Sequence, residues 1–341
     1  MKIICFEEHT IDQEINEATQ QAMATEAGYM ADLGSRANDN PTDPSQPQLT
    51  SMQKSLELAR DVGTGRIATM DEHGIDMQIL SYSNSTQMAP SERALDLARA
   101  ANDKLAEAVR ANPTRFRGFA TLPWQVPEAA AVELERAVKQ LGLVGTLLIG
   151  HIGPGFLDDE RYESILAKLN ELKVPVYVHP GPPLPQVREP YYAGFSKEVS
   201  ARFSLFGWGW HNEAGIQLIR MILAGKFDKF PQLQVISGHW GEMVPFFLQR
   251  MDDAMPQDVT ELSRTITETY REHVYVTPSG MLYLPHFEFI YKVVGPDRIL
   301  YAVDYPYLTL SGARQFLESL PVSEEDKEKI AHKNAEAVLR L

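Results

Sequence analysis

Eight short runs rich in Val, Ile and aromatic residues recur along the 341-residue chain, helix-patterned segments lie between most of them, and ligand-type side chains stand at the ends of several runs. Together these predict an α/β protein of the (β/α)8 TIM-barrel class, because strands alternating with helices of 10–20 residues imply βα units around a parallel sheet. The strand-like runs are Lys2–His9, Met77–Ser83, Phe116–Leu122, Gly145–His151, Val174–His179, Leu233–His239, His273–Thr277 and Arg298–Asp304. The clearest helix pattern is Ser91–Ala111, where Leu95, Leu97, Ala98, Ala101, Leu105 and Val109 fall near helical spacing. Further helices are predicted at Pro127–Leu141, Asp159–Leu172, Asn212–Ala224, Val244–Asp253, Pro285–Val294 and Ala313–Leu320, and one or two amphipathic helices over Glu324–Leu341 close the barrel. A doubly wound sheet would place a Gly-rich phosphate turn after an early strand. The first run ends instead in Glu7-Glu8-His9.

Two stretches interrupt the alternation, and both leave from C-terminal strand ends. Residues 10 to about 64 are polar around Ser35–Ser51, and that part reads as an ordered surface excursion. Residues 180–211 carry Tyr191, Tyr192, Phe195, Phe203, Phe206, Trp208 and Trp210, and read as a pocket wall or a subunit contact. With these insertions the whole of 1–341 is accounted for as one barrel domain.

The formal charge of −14 argues against nucleic acid or an anionic membrane as the main partner, since both attract basic surfaces. One cysteine, Cys5, excludes an intrachain disulfide and a CxxC zinc module and fits a reducing compartment. No apolar run approaches the roughly 20 residues of a membrane span. A cytoplasmic protein is the expectation.

The strand ends carry the chemistry. The first ends in Glu7 and His9, the fifth in His179, the sixth in His239 and the eighth in Asp304. By strand alternation Ile3, Cys5, Glu7 and His9 share the inward face, with Cys5 packing below the site. A single strand-end histidine is most often a hydrogen-bonded core residue, and Asp304 before Tyr305-Pro306 can simply start a turn. Five ligand-type side chains converging at one barrel mouth are harder to explain that way, because a carboxylate there is costly unless paired or metal-bound. They read as a divalent metal site. His73, His211, His273, His286 and His332 are assigned structural roles.

The same residues carry a family resemblance. The first strand shows Glu-x-His, the fifth ends Val-Tyr-Val-His-Pro at His179, and the sixth reads Ser237-Gly238-His239-Trp240-Gly241-Glu242, continuing through Pro245-Phe246 to Arg250-Met251-Asp252. The eighth reaches Asp304-Tyr305-Pro306, and the tail holds Asn334-Ala335. Over nearly its whole length the chain resembles the amidohydrolase superfamily, in particular the decarboxylase branch of γ-resorcylate (2,6-dihydroxybenzoate) decarboxylase. The resemblance implies that Glu7, His9, His179 and Asp304 bind one divalent metal ion, Zn or Mn, and that Asp304, His239, Glu242 and Arg250 are catalytic. The lysine that bridges two metals in dinuclear relatives is missing from the fourth strand, which favours a single ion. A homodimer or homotetramer is also implied. Two features depart from the family pattern: Leu308 stands where a Glu is common, and the fifth-strand loop reads Val187-Arg188-Glu189-Pro190.

These readings imply a non-oxidative decarboxylase of a small aromatic carboxylic acid of the hydroxybenzoate type. Asp304 is the first candidate to protonate the ring carbon and His239 the alternative. Glu242 would orient His239, and Arg250 would neutralise charge or hold Glu242 through a fork-like pair. A metal-dependent hydrolase of a lactone or amide on the same scaffold competes with this reading, and Glu7 in place of the usual His weighs against it. A metal-binding protein without catalysis is the third and weakest reading.

Overall fold

The structure is a computed structural model and describes residues 1–34, 45–84 and 86–341. Every predicted strand run contains a strand: β1 (Ile4–Thr10), β2 (Met77–Tyr82), β3 (Phe116–Gly118), β4 (Thr146–Ile149), β5 (Val176–His179), β6 (Val235–Ser237), β7 (Val274–Val276) and β8 (Tyr301–Ala302). They form two parallel four-stranded sheets, ordered β3-β2-β1-β8 and β4-β5-β6-β7. Single parallel bridges join the sheets at both seams, Ala120 to Thr146 and Val276 to Ile299. The Ala120 N–H donates to the Gly145 carbonyl at 2.8 Å, and the Leu300 N–H to the Val276 carbonyl at 2.9 Å. The strands therefore follow one another in a ring, with thin seams.

Alternation sorts the strand side chains into two layers. Ile4, Phe6, Met77, Ile79, Phe119, Leu147, Tyr177, Ile236, Leu300 and Ala302 pack together inside the ring. Ile3, Cys5, Leu80, Phe116, Leu148, Val176, Val178, Val235 and Val274 face the helices. Cys5 thus points outward, contrary to the strict alternation expected for β1. The reason is a bulge. Cys5 pairs with Gln78 and Glu8 with Leu80, so Phe6 and Glu7 together oppose Ile79. Glu7 takes a positive φ of 57°. The phase of alternation changes there, so Ile4 and Phe6 point inward below the bulge and Glu7 and His9 above it.

The helix Ser91–Ala111 buries Leu97, Ala98, Ala101, Leu105 and Val109 of the predicted stripe on the outside of the barrel, with Ala94 buried and Leu95 only partly so. Pro127–Lys139 opens on a proline, whose missing N–H costs nothing in a first turn. Several helices were not expected, among them Gln13–Glu26, Thr64–His73, Lys197–Ser204 and, between the sixth and seventh strands, Ile266–His273. The signal for the last was present: Thr265 and Glu268 form a reciprocal capping box. At the far end of the barrel, Ala335 and Leu339 of the helix Asn334–Leu339 plug the interior layer. The Asn334 amide donates to the carbonyls of Pro296 and Ile299, each at 2.8 Å.

The first insertion holds the helices Gln13–Glu26 and Met52–Ala59. Of the polar stretch read as a surface excursion, residues 35–44 lie outside the described residues. The remainder crosses the barrel mouth: Thr50 N–H donates to the Tyr307 carbonyl at 2.9 Å and Thr309 N–H to that of Gln48 at 3.0 Å. Among the described residues, no helix is long and apolar enough to cross a membrane.

Candidate metal centre

Glu7, His9, His179 and Asp304 come together at the C-terminal mouth of the ring. Each offers one ligand atom, and these atoms all lie within 4.8 Å of one another. His9 Nε2 stands 3.2 Å from Asp304 Oδ1, and His179 Nε2 stands 3.4 Å from Glu7 Oε1. Glu7 Oε1, His9 Nε2 and Asp304 Oδ1 are buried without a hydrogen-bond partner. Three unpaired ligand atoms around one point suit a cation, since buried polar atoms are otherwise nearly always paired. The donor set of two carboxylates and two imidazoles fits one divalent metal ion.

The surroundings prepare these atoms. The His179 Nδ1–H donates to the Pro180 carbonyl at 2.7 Å. A carbonyl only accepts, so the proton sits on Nδ1 and Nε2 keeps its lone pair. Burial, reinforced by His9 and His239, holds His179 well below its ordinary pKa, hence neutral as a ligand must be. His9 Nδ1 lies 3.2 Å from Ser81 Oγ. The outer oxygen of Glu7 accepts from the Tyr177 hydroxyl at 2.5 Å and from Ser279. Burial pushes the Glu7 carboxyl up to about 7, and a divalent cation at Oε1 would keep it ionised.

A second group stands beside the first. His239 Nδ1–H and His211 Nδ1–H donate to the two oxygens of Glu242, each at 2.8 Å. With both carboxylate oxygens engaged by N–H groups, this trio is a hydrogen-bonded chain. Glu242, Glu7 and Asp304 overcome the opposing effect of burial and raise His239 to about 9. Against burial, His239 and His211 hold Glu242 below its usual range. Trp210 Nε1–H donates to His211 Nε2 at 3.0 Å, which fixes the ring.

The backbone here is unusual. His239, Trp240, Gly241, Glu242 and Met243 all have positive φ, from 45° to 83°, and so do Ser279 and Asp304. Such conformations cost about 1–3 kcal/mol each and concentrate at functional sites. Anchors compensate: Trp240 N–H donates to the Thr277 carbonyl at 2.8 Å, and His239 N–H to Ser279 Oγ at 3.0 Å. At Gly241 a Cβ would stand 2.5 Å from the Tyr270 hydroxyl, so no larger residue fits.

Of the residues named from sequence, Glu7, His9, His179, Asp304, His239 and Glu242 are gathered. Arg250 is not. It lies exposed on the helix Val244–Ala254, and both Glu242 oxygens are already taken by histidines, so the fork-like pair is not formed. His211, read as structural, belongs to the site. Its signal was faint: it sits in the aromatic insertion, far in sequence from any strand end. Leu308, in the place of the family Glu, pairs with Leu49 and packs on Gly280. Arg188 lies over the Tyr29 ring at 3.9 Å and so ties the two insertions together.

Both insertions wall a cavity of about 300 Å³ above the ligand cluster, with His179, His239, Asp304 and Tyr307 at its inner end. An eight-stranded parallel barrel with its polar cluster at the strand C-termini is the architecture of a metal-dependent barrel enzyme. The chain belongs to the amidohydrolase family, whose model, described as Amidohydrolase (Amidohydro_2), matches residues 60–341. It is 34% identical to γ-resorcylate decarboxylase of a Polaromonas species, over 99% of this chain and 98% of the relative. The solved dihydroxybenzoic acid decarboxylase from Polaromonas, with bound manganese and the inhibitor 2-nitroresorcinol, superposes with a TM-score of 0.83 at 32% identity, covering 100% of this chain and 97% of that one. The 5-carboxyvanillate decarboxylase of Novosphingobium aromaticivorans, complexed with manganese and 4-hydroxy-3-methoxy-5-nitrobenzoic acid, gives 0.87 at 31%, covering 100% and 96%.

Proposed function

We propose that this chain, as one barrel domain over 1–341, is a metal-dependent, non-oxidative decarboxylase of hydroxybenzoate-type aromatic acids, a carbon–carbon lyase. The observation that carries the reading is the cluster of buried ligand atoms without hydrogen-bond partners, Glu7 Oε1, His9 Nε2 and Asp304 Oδ1, at the floor of a largely apolar cavity. Kinship with decarboxylases that hold manganese and nitrophenol inhibitors supports it.

Glu7, His9, His179 and Asp304 would hold the ion. Bound there, a divalent cation supplies positive charge that anchors a carboxylate and its ortho hydroxyl oxygen and withdraws electrons from the ring. The chain's own residues do the rest. Asp304, at the inner end of the cavity, is the first candidate to deliver a proton to the ring carbon bearing the carboxylate. His239 Nε2 is the alternative donor, since its Nδ1 is committed to Glu242. Protonation breaks aromaticity; cleavage of the bond to the carboxylate then releases CO2, and the bond's electron pair restores the ring. Glu242 keeps His239 charged and oriented, and His211 holds Glu242 in place. Burial of Glu7, His9 and Glu242 strengthens the interactions of these charges.

The test is an ultraviolet assay of manganese- or zinc-loaded protein over a panel of ortho-hydroxybenzoates, with CO2 measured. Phenol formation is expected, and its absence throughout the panel overturns the reading. Full activity in both Asp304→Asn and His239→Asn would remove the assigned proton donors.

The proposal extends to a homodimer or homotetramer in a reducing, cytoplasmic setting. Exposed Phe246, Phe247 and Phe289, clustered edge-on and tilted with centroids 5.4 and 5.8 Å apart, support the first. The buried free thiol of Cys5 supports the second. Light scattering of the purified protein checks the assembly; a monomer at micromolar concentration would contradict it.

A further inference from the structure

The cavity above the ligand cluster has two chemically different ends. We infer that the outer end receives an apolar substituent, so that the preferred substrate is a hydroxybenzoate carrying an alkyl chain on the ring edge away from its carboxylate. The inference rests on the decarboxylase reading and adds to it the class of acid.

The inner end is polar and built for a carboxylate and a phenol. The outer end is not. Met23, Met30, Leu33, Leu49, Met52 and Leu56, all from the first insertion, form one wall. Leu205, Phe206 and Trp210 of the second insertion face them. Among the described residues, the polar side chains of these walls have protein partners. Thr50 Oγ1 donates to the Pro306 carbonyl at 2.7 Å and Ser55 Oγ to the Ser51 carbonyl at 3.0 Å. The Asn84 amide donates to Asn16 and accepts from Asp12 N–H. Ser83 and Tyr307 share a hydrogen bond of 2.7 Å. Arg202 donates to Glu198 and to the Leu33 carbonyl, both at 3.0 Å, and stacks on Phe206. A carboxylate or hydroxyl on the far ring edge would lose water there and find those groups engaged, whereas an alkyl chain loses nothing. Three methionines suit a chain of variable length, because the unbranched thioether repacks readily.

The experiment compares manganese-loaded enzyme on 2-hydroxybenzoates bearing hydrogen, methyl, propyl or pentyl at ring position 4 or 5, with hydroxymethyl and carboxyl analogues as polar controls. In one of the two isomeric series kcat/KM should rise roughly fourfold for each added methylene until the chain reaches the mouth, and the polar controls should show no gain. Leu49 and Met52 are 42% and 43% exposed, so Leu49→Asn and Met52→Gln spare the core. Each should flatten the dependence on chain length, read as a ratio within one variant. Binding is read separately, as the thermal shift given by pentylresorcinol against resorcinol. Turnover of the unsubstituted acid with no gain, or a loss, from alkylation in both series overturns the apolar chamber and leaves the decarboxylase reading standing. No turnover of any acid, with a larger shift from pentylresorcinol, overturns the decarboxylase reading and keeps the chamber. No turnover with equal shifts removes both.

Discussion

At the scale of single residues, the site works by deciding where protons sit. Glu242 spends both oxygens on N–H groups from His239 and His211, so it holds two rings at once. Glu242→Gln removes the charge that keeps His239 protonated and turns one acceptor into a donor facing an N–H. It is expected to lower kcat by roughly 10- to 100-fold, with the metal content unchanged. Steady-state kinetics with elemental analysis checks both halves of that statement. His211→Phe keeps the aromatic volume and deletes one of the two bonds. It should give a smaller loss and move the upper limb of the pH–rate profile to higher pH, because Glu242, relieved of one donor, then holds the His239 proton more tightly. An unchanged profile would show that His211 only packs.

At the scale of elements, short irregularities place the chemistry. The bulge at Glu7 and the left-handed run from His239 to Met243 turn strand ends into ligand platforms. Gly241→Ala would force a Cβ against the Tyr270 hydroxyl and Pro245 at a φ of 83°. The expected cost is about 1–3 kcal/mol in urea denaturation. A second element carries a pH signature away from the metal centre. His273, at the junction of its helix with β7, donates from Nδ1 to the Leu233 carbonyl at 2.9 Å and accepts at Nε2 from Arg264 at 3.1 Å. Burial, with Arg264 adding to it, lowers its pKa below the ordinary value of 6.5. The unfolded chain therefore binds a proton that the folded chain refuses. This contribution to stability is present above about pH 6.5 and fades as pH falls toward the depressed folded value. Denaturation midpoints from pH 8 to 5 should fall less steeply for His273→Gln than for the parent.

At the scale of the whole molecule, the metal links folding to function. A ligand that binds only the folded chain stabilises it by about 2.7 kcal/mol at a hundredfold excess over its dissociation constant. Removal of the ion by chelation should lower the melting temperature and abolish activity, and manganese should restore both. Glu7→Gln should show the same low melting temperature with or without manganese. The net charge of −14 also acquires a local meaning: an anionic substrate enters a negatively charged protein through largely apolar walls, and the metal at the cavity floor supplies the charge that holds it.

Much of this was legible in the chain itself. Strand runs, the main helices and the residues at strand ends follow from periodicities of two and 3.6, which depend on neighbours a few positions away. They named Glu7, His9, His179, His239 and Asp304, and the family resemblance added Glu242. What the pattern misplaced has one physical cause. The bulge that sends Cys5 outward, the second oxygen of Glu242 that draws in His211, the exposed position of Arg250 and the mouth-crossing pair of Gln48–Thr50 with Tyr307–Thr309 all depend on contacts between segments remote in sequence. Local pattern therefore set the barrel and the ligand types, while only the tertiary structure decided which side chains share a proton, which remain outside, and how large and how apolar the space above the metal centre is.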